Sequence, residues 1–199
     1  MGYFRALLWN AKVAQVAWTK LCLPKKEGGL GLKNIMAWNY AFISRYIWFL
    51  QDEKESLWTK WIHIYYLRGW TLGIFTPTHG TSGFVKKLHA IFNVIVTQEG
   101  SYDKACDRVK TWQRVTKFST QLAYDFFRPK AQKWRNHDII WKYCRTCRYS
   151  FILWLALLRR LNTRDRLTFL QDSGMCYFCH TEAESHEHLF FHCPFMLRI

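Results

Sequence analysis

The sequence predicts a mainly α-helical chain, in which helical, bundle-like segments are followed by a small compact module at the C-terminus. Two observations predict this fold class. Apolar residues recur at helical spacing in several segments, and turn-forming residues separate those segments. The last stretch, "CYFCHTEAESHEHLFFHC", instead packs three cysteines and four histidines into 18 residues, which is typical of a module built around something other than a large apolar core.

The composition is that of a folded and strongly basic protein. Half of the 199 residues are hydrophobic, which is enough for one domain or two small ones with a real core. The formal net charge of +15 favours a partner that carries phosphates, with nucleic acid as the first candidate and an anionic membrane surface as the second.

Membrane insertion and disulfide bonding are both disfavoured by the sequence. The longest uninterrupted apolar run, "FILWLALL", has eight residues, far fewer than a spanning helix needs. The N-terminus shows no signal-peptide pattern, and the cysteine number is odd, at seven. We therefore expect an intracellular chain with reduced thiols, metal rather than disulfides, and no membrane partner.

The first third of the chain predicts a turn and two helices. The stretch "KKEGGLGLKN" lacks the spacing of a phosphate-binding loop and is expected to be a turn. A helix is predicted over residues 35–50 with Asn34 as its N-cap, and a second over residues 56–67. The first helix is apolar nearly all round, so it should be buried or face a partner. Tryptophans at helical spacing are expected to pack in the core rather than stack on bases; they are Trp38, Trp48, Trp58 and Trp61.

The turn-rich residues 68–83 are the best internal boundary, and "FVKKLHAIFNVIV" after them predicts another helix. Further on, residues 117–166 carry twelve Lys or Arg against three Asp, with aromatic residues interleaved. Within this block, residues 150–161 predict a helix, Asn162 or Thr163 could cap the next one, and Gly174 should end it.

Basic density and interleaved aromatic residues make the block 128–166 the one place where nucleic-acid contact is favoured. The candidate phosphate-binding residues are Lys142, Arg145, Arg148, Arg159, Arg160, Arg164 and Arg166.

The terminal cluster predicts one zinc ion held by Cys176, Cys179, His188 and Cys193. Zinc prefers four tetrahedral thiolate or imidazole ligands, and a CxxC turn supplies two thiolates at once. The spacing C-x2-C-x8-H-x4-C is close to that of short zinc knuckles. His186 is a rival for the third position.

A second alternative is an all-cysteine site that combines Cys144 and Cys147 of "CRTC" with Cys176 and Cys179. It would enclose a long helix within the zinc loop, which is unusual. Cys144 and Cys147 are therefore expected to be two thiols on a helix.

At these residues the chain resembles a known family. "CYFCHTEAESHEHLFFHCPF" is similar to the C-terminal zinc-binding module of plant-type LINE (non-LTR) retrotransposon reverse transcriptases. "FSTQLAYDFFR", "DIIWK" and "FILWLALLRRLNTRDRL" resemble the helical lead-in to that module. "KVAQVAWTKLCLPKKEGGLGLKNIMAWNYAF" resembles the segment that follows the polymerase core. The resemblance covers about residues 7–67 and 116–199.

The resemblance implies three segments: 1–67 follows the polymerase core, 68–115 is a variable connector, and 116–199 is a zinc-binding domain that is truncated at its C-terminus. It also implies a C-terminal fragment without catalysis, because none of the seven Asp lies next to another, as metal-binding carboxylates of polymerases require. We expect sequence-independent phosphate contacts with RNA or DNA. The alternative is a structural module that docks on a polymerase or another protein partner.

Overall fold

Helices dominate the described part of the chain, which comprises residues 15–52, 56–69, 71–143, 146–167 and 174–198 of a computed structural model. The predicted fold class is therefore confirmed. The helices are α1 (Trp18–Leu21), α2 (Ile35–Gln51), α3 (Leu57–Ile62), α4 (Gly83–Glu99), α5 (Tyr102–Thr111), α6 (Thr120–Phe127) and α7 (Cys147–Leu157). Wider π-helical turns occur at His63–Leu67, Ile139–Tyr143 and His188–His192, and narrower 3-10 turns at Lys25–Glu27, Arg164–Arg166 and Met196–Arg198. One antiparallel hairpin joins β1 (Gln113–Arg114) to β2 (Lys117–Phe118).

Contacts within the chain divide it into two units. The middle unit is Lys33–Lys130, and the terminal unit combines Met1–Leu32 with Ala131–Ile199. The three segments expected from resemblance mark stretches of similar sequence, whereas the units mark residues that pack together, so that division stays a prediction. None of the described helices combines the length and the apolar character that crossing a membrane requires.

Side-chain caps explain where the helices of the middle unit begin. Each of α2 to α6 starts after a residue whose side chain accepts a hydrogen bond from the third backbone N–H of the helix, so one otherwise unpaired donor is satisfied. The capping residues are Asn34, Ser56, Ser82, Ser101 and Ser119. The predicted cap at Asn34 is confirmed, with its Oδ1 atom 3.0 Å from the nitrogen of Ala37.

Helix α2 is buried along one face only. It contacts α4, α5 and α6 and buries Ile47 and Trp48, while Trp38 and Phe42 on its other side stay 44% and 49% exposed. Of the four tryptophans expected in the core, Trp48 is buried and Trp58 is half-buried, whereas Trp38 and Trp61 are exposed. The expectation was wrong for these two because helical spacing gives the face of a residue but not whether another element covers it.

The terminal unit is assembled around the glycine turn that precedes α2. The turn is as predicted: Gly28 has a positive φ of 83°, which an L side chain rarely adopts. A Cβ atom on Gly29 would clash with the carbonyl oxygen of Leu23. The buried indole of Trp154 in α7 donates to the carbonyl of Gly28 at 3.0 Å, so α7 is fixed to the turn by a buried hydrogen bond.

Helix α7 ends earlier than its apolar pattern predicts, at Leu157 rather than at residue 161. Arg159 adopts the left-handed conformation, with φ of 53°. Its N–H donates to the carbonyl of Ala156, and the N–H of Arg160 donates to the carbonyl of Leu155, both at 2.8 Å. This bonding pattern closes many helices, but glycine usually occupies the left-handed position, so no stop signal is visible in the sequence there. Where the next helix is predicted to begin, after Thr163, the structure has a 3-10 turn, Arg164–Arg166. Residues 168–173, which would carry this helix on to its predicted end at Gly174, lie outside the described residues.

Candidate metal centre and its basic neighbourhood

A tight hairpin forms the first half of the candidate centre. Met175 and Ala183 make an antiparallel bridge, and the N–H of Cys176 donates to the carbonyl of Glu182 at 2.7 Å. At the turn, the N–H of His180 donates to the carbonyl of Cys176 at 3.0 Å, and His180 itself has a positive φ of 57°. The hairpin therefore brings the sulfur atoms of Cys176 and Cys179 to the same turn.

A π-helical turn, His188–His192, forms the second half. It begins where the hydroxyl of Ser185 accepts a hydrogen bond from the N–H of His188, at 3.1 Å. It ends where the N–H of Cys193 donates to the carbonyl of His188, at 2.7 Å. This bond spans five residues instead of four, and it returns Cys193 to the vicinity of the His188 ring.

Four ligand atoms meet between the two halves, from Cys176, Cys179, His188 and Cys193, all within 4.8 Å of one another. The sulfurs of Cys176 and Cys193 are 3.9 Å apart, and the sulfur of Cys179 lies 3.2 Å from Nε2 of His188. With metal–sulfur bonds of about 2.3 Å, a tetrahedron separates its sulfur ligands by roughly 3.8 Å. The donor set and its spacing fit a closed, four-coordinate structural zinc site.

Groups behind the ligands orient them. The Nδ1 atom of His188 lies 3.0 Å from Oε2 of Glu182, which leaves Nε2 directed at the sulfur of Cys179. Paired carboxylate and imidazole groups of this kind fix the tautomer of zinc-binding histidines. The hydroxyl of Thr181 donates to the sulfur of Cys179 at 3.1 Å, and such hydrogen bonds lower the pKa of this thiol to about 5. The thiolate is the form that binds metal.

The rival ligands do not join this group. His186 packs its ring against Phe190, with centroids 4.9 Å apart, and it is not part of the four-atom cluster. Cys147 is exposed at the start of α7, and among the described residues it does not group with Cys176 and Cys179. Cys144 lies outside the described residues.

The basic segment before the hairpin is held against it by Arg164. The guanidinium of Arg164 donates to the carbonyl of Met175 at 2.9 Å and lies over the ring of Tyr177, 5.7 Å from its centroid. Glu184 accepts from the N–H of Arg164 through its carboxylate, at 3.2 Å, and from the N–H of Asp165 through its carbonyl, at 3.3 Å. The 3-10 turn is thereby attached to the hairpin that carries two of the four candidate ligands.

The candidate phosphate-binding residues therefore fall into different environments. Lys142, Arg148, Arg160 and Arg166 are exposed. Arg159 is exposed and also forms an ion pair with Glu187, at 3.5 Å. Arg164 is half-buried and bonded to the hairpin, and Arg145 lies outside the described residues.

The sequence did not point to Glu182 and Glu184 as individuals. Both belong to an acidic spacer between the cysteine pair and His188. Strand alternation places residues two apart on the same face, so it does not separate their roles. One carboxylate orients a candidate ligand, and the other anchors the basic segment.

Comparison with known proteins agrees with this geometry. Residues 118–199 match the family described as zinc-binding in reverse transcriptase. A protein of Arabidopsis thaliana named "Putative ribonuclease H protein" is 45% identical over 60 residues, which cover 28% of this chain and 10% of that protein. The chain thus matches only a small part of this curated relative. No solved structure matches the chain significantly.

The hydrogen bond between Glu182 and His188 gives a testable prediction. The change Glu182→Gln removes the charge that orients the imidazole, and outer-shell changes of this type lower metal affinity by about 10- to 100-fold. Zinc affinity would be measured by competition with a chromophoric chelator, with circular dichroism as the check on folding. Glu187→Gln is the matched control, because Glu187 pairs with Arg159 and not with a candidate ligand. Equal affinity in the two variants would contradict the orienting role of Glu182.

Proposed function

We propose that this chain is a zinc-binding and nucleic-acid-binding C-terminal fragment of a LINE-type reverse transcriptase. It holds one zinc ion through Cys176, Cys179, His188 and Cys193, and it binds RNA or DNA through arginine contacts to phosphates. Zinc bound there supplies a structural cross-link between the hairpin and the π-helical turn. The match to the reverse-transcriptase zinc-binding family supports the zinc and the parent class, and the sequence motifs quoted above support the LINE type.

The observation that carries the proposal is the attachment of the arginine-rich segment to the candidate metal centre. Arg164 bonds to Met175, which directly precedes the ligand Cys176. Because Arg164 is bonded to the hairpin, we infer that the backbone near it, which carries the exposed Arg160 and Arg166, is held in place. Pre-positioned cations lose less conformational entropy when they contact phosphates than cations on a mobile chain do.

The proposed function includes no catalysis. Two-metal phosphoryl transfer requires carboxylates that converge on the ions. Within the described residues, the candidate metal-binding group contains three cysteines and one histidine and no carboxylate. A donor set of thiolates and imidazole is typical of structural zinc.

A second candidate function is that of a protein-interaction module, in which zinc only stabilises the fold. The observation in its favour is the exposed apolar surface next to the candidate centre. Tyr177 and Leu197 are both 66% exposed, and the exposed rings of Phe178 and Phe195 stack on each other at 5.5 Å. A polymerase or another protein could cover such a surface.

The metal content of the purified chain is the first expected outcome. We predict one zinc per chain by elemental analysis, lost in Cys176→Ser and in Cys193→Ser because either change removes a ligand with a buried sulfur. The matched control is Cys147→Ser, because Cys147 is exposed, and this variant should keep its zinc. Loss of zinc in Cys147→Ser with retention in Cys193→Ser would support the all-cysteine alternative instead.

Nucleic-acid binding is the second expected outcome, and its salt dependence separates the two candidate functions. Phosphate contacts weaken steeply as salt rises, whereas an apolar protein interface does not. Log affinity falls as log salt rises. The triple change of Arg148, Arg160 and Arg166 to Gln should make this slope less steep by roughly two to three units on duplex DNA.

The matched control replaces three exposed basic residues of the middle unit with Gln, namely Lys104, Arg114 and Lys117. It removes the same amount of charge from positions that the proposed function does not use. Equal slopes in the two triple variants would mean that the interaction depends on total charge and not on the arginine segment. If the unchanged chain binds no nucleic acid at low salt, the proposed function is wrong and the interaction module remains.

A further inference from the structure

Two aromatic rings on the middle unit are exposed and stacked parallel to each other. The rings of Trp61 and Tyr65 are 5.7 Å apart with an interplanar angle of 9°, and they are 47% and 59% exposed. The opposite side of the same segment is anchored, since Ile62 and Leu67 are only 1% exposed. The exposed rings therefore belong to a fixed part of the fold and not to a frayed end.

A cavity of about 480 Å³ lies next to this ring pair. Tyr65 and Tyr66 form part of its wall, and Trp61 meets the ring of Tyr66 edge-on at 5.2 Å. Arg68 lines the same cavity. It ends the π-helical turn in the left-handed conformation, and its N–H donates to the carbonyl of His63 at 2.7 Å. Polar groups also line the cavity, from Thr76, Thr78 and Thr81.

The segment that carries the ring pair and the cavity, residues 56–98, is basic. Residues 56–98 contain Lys60, Arg68, Lys86 and Lys87, together with three histidines, and no Asp or Glu. All four basic side chains are exposed. An anionic ligand that approaches this segment is attracted by these four side chains.

We propose that Trp61, Tyr65 and the adjacent cavity form a second nucleic-acid contact, which takes the unpaired bases of single-stranded RNA or DNA. Exposed ring faces suit stacking on bases, which single strands present and duplexes conceal. Arg68 and Lys60 contact the phosphates of the same strand, and the threonine hydroxyls contact a base edge or sugar inside the cavity. Exposed aromatic rings, a cavity lined by both aromatic and threonine side chains, and a basic segment together fit a polyanion with apolar bases better than an apolar protein surface.

This site lies outside residues 118–199 and does not rest on the zinc centre or on the arginines of the terminal unit. Its test uses the full chain loaded with zinc. Fluorescence anisotropy would compare a labelled single strand of about 20 nucleotides with a duplex of the same length. The variants are Trp61→Leu, which keeps apolar bulk without a ring face, and Tyr65→Ala. Trp38→Leu is the matched control, because Trp38 is exposed to a similar degree on the same unit and also has a ring neighbour, Phe42.

We expect Trp61→Leu and Tyr65→Ala each to weaken single-strand binding by about 5- to 150-fold, as the loss of one base stack does, with duplex affinity unchanged. Trp38→Leu should bind both ligands as the unchanged chain does, and Tyr65→Phe should keep its single-strand affinity. Circular dichroism melting would show that each variant is folded.

Unchanged single-strand affinity in both Trp61→Leu and Tyr65→Ala would overturn the inference, as would an equal loss on single strand and duplex. Sedimentation of the same variants tests whether a second copy of the chain, and not nucleic acid, binds at the ring pair. A change in assembly without a change in single-strand affinity would also overturn it. The two proposals can fail separately. If the ring pair does not bind single strands, the salt-dependent duplex binding that the arginine triple variant tests is still expected.

Discussion

The hydrogen bond from the guanidinium of Arg164 to the carbonyl of Met175 is the contact on which the functional account depends. It links the basic segment to the hairpin that presents Cys176 and Cys179, and Glu184 strengthens the link by accepting from the N–H of Arg164. An arginine that counts as one of many surface charges in the sequence is therefore a structural anchor. In the proposed function, the charges that contact a phosphate are its exposed neighbours, Arg160 and Arg166, and their direction depends on whether the hairpin is folded.

Residues 174–198 have little apolar burial of their own with which to fold. Cys176, Cys193 and His188 are buried, whereas Tyr177 and Phe191 stay more than half exposed. Modules of this size are usually held together by metal or disulfides, and zinc contributes about 10–16 kcal/mol of apparent free energy in finger-like sites. In the proposed function, zinc fixes the hairpin and thereby the arginine segment. The aromatic pair of the middle unit needs no metal, because α3 and its continuation are anchored by Ile62 and Leu67.

Ligand spacing and helix caps could be predicted from the sequence, whereas the exposure of a side chain, which depends on tertiary packing, could not. The spacing C-x2-C-x8-H-x4-C predicted which four residues would meet, since short loops restrict how cysteine and histidine can converge. Asn34 could be predicted as a cap because a short polar side chain just before an apolar helical run can accept a hydrogen bond from the first turn. The exposure of Trp61 was not readable, because it depends on which elements pack on α3. The end of α7 was missed because Arg159 takes the left-handed position that glycine usually occupies. The roles of Glu182 and Glu184 depend on a hairpin register that the sequence did not specify.

The most direct test of the coupling between metal and basic segment is the affinity of the full chain for duplex DNA, measured at low salt with zinc bound and after removal of zinc by a chelator. Zinc removal should weaken binding by about 5- to 150-fold, the range of typical coupled sites, without abolishing it, since scattered charge still attracts phosphates. The variant Arg164→Gln should weaken binding in the same direction while it keeps its zinc. Equal affinity with and without zinc, in a chain whose zinc loss is verified by elemental analysis, would show that the metal centre does not position the arginine segment.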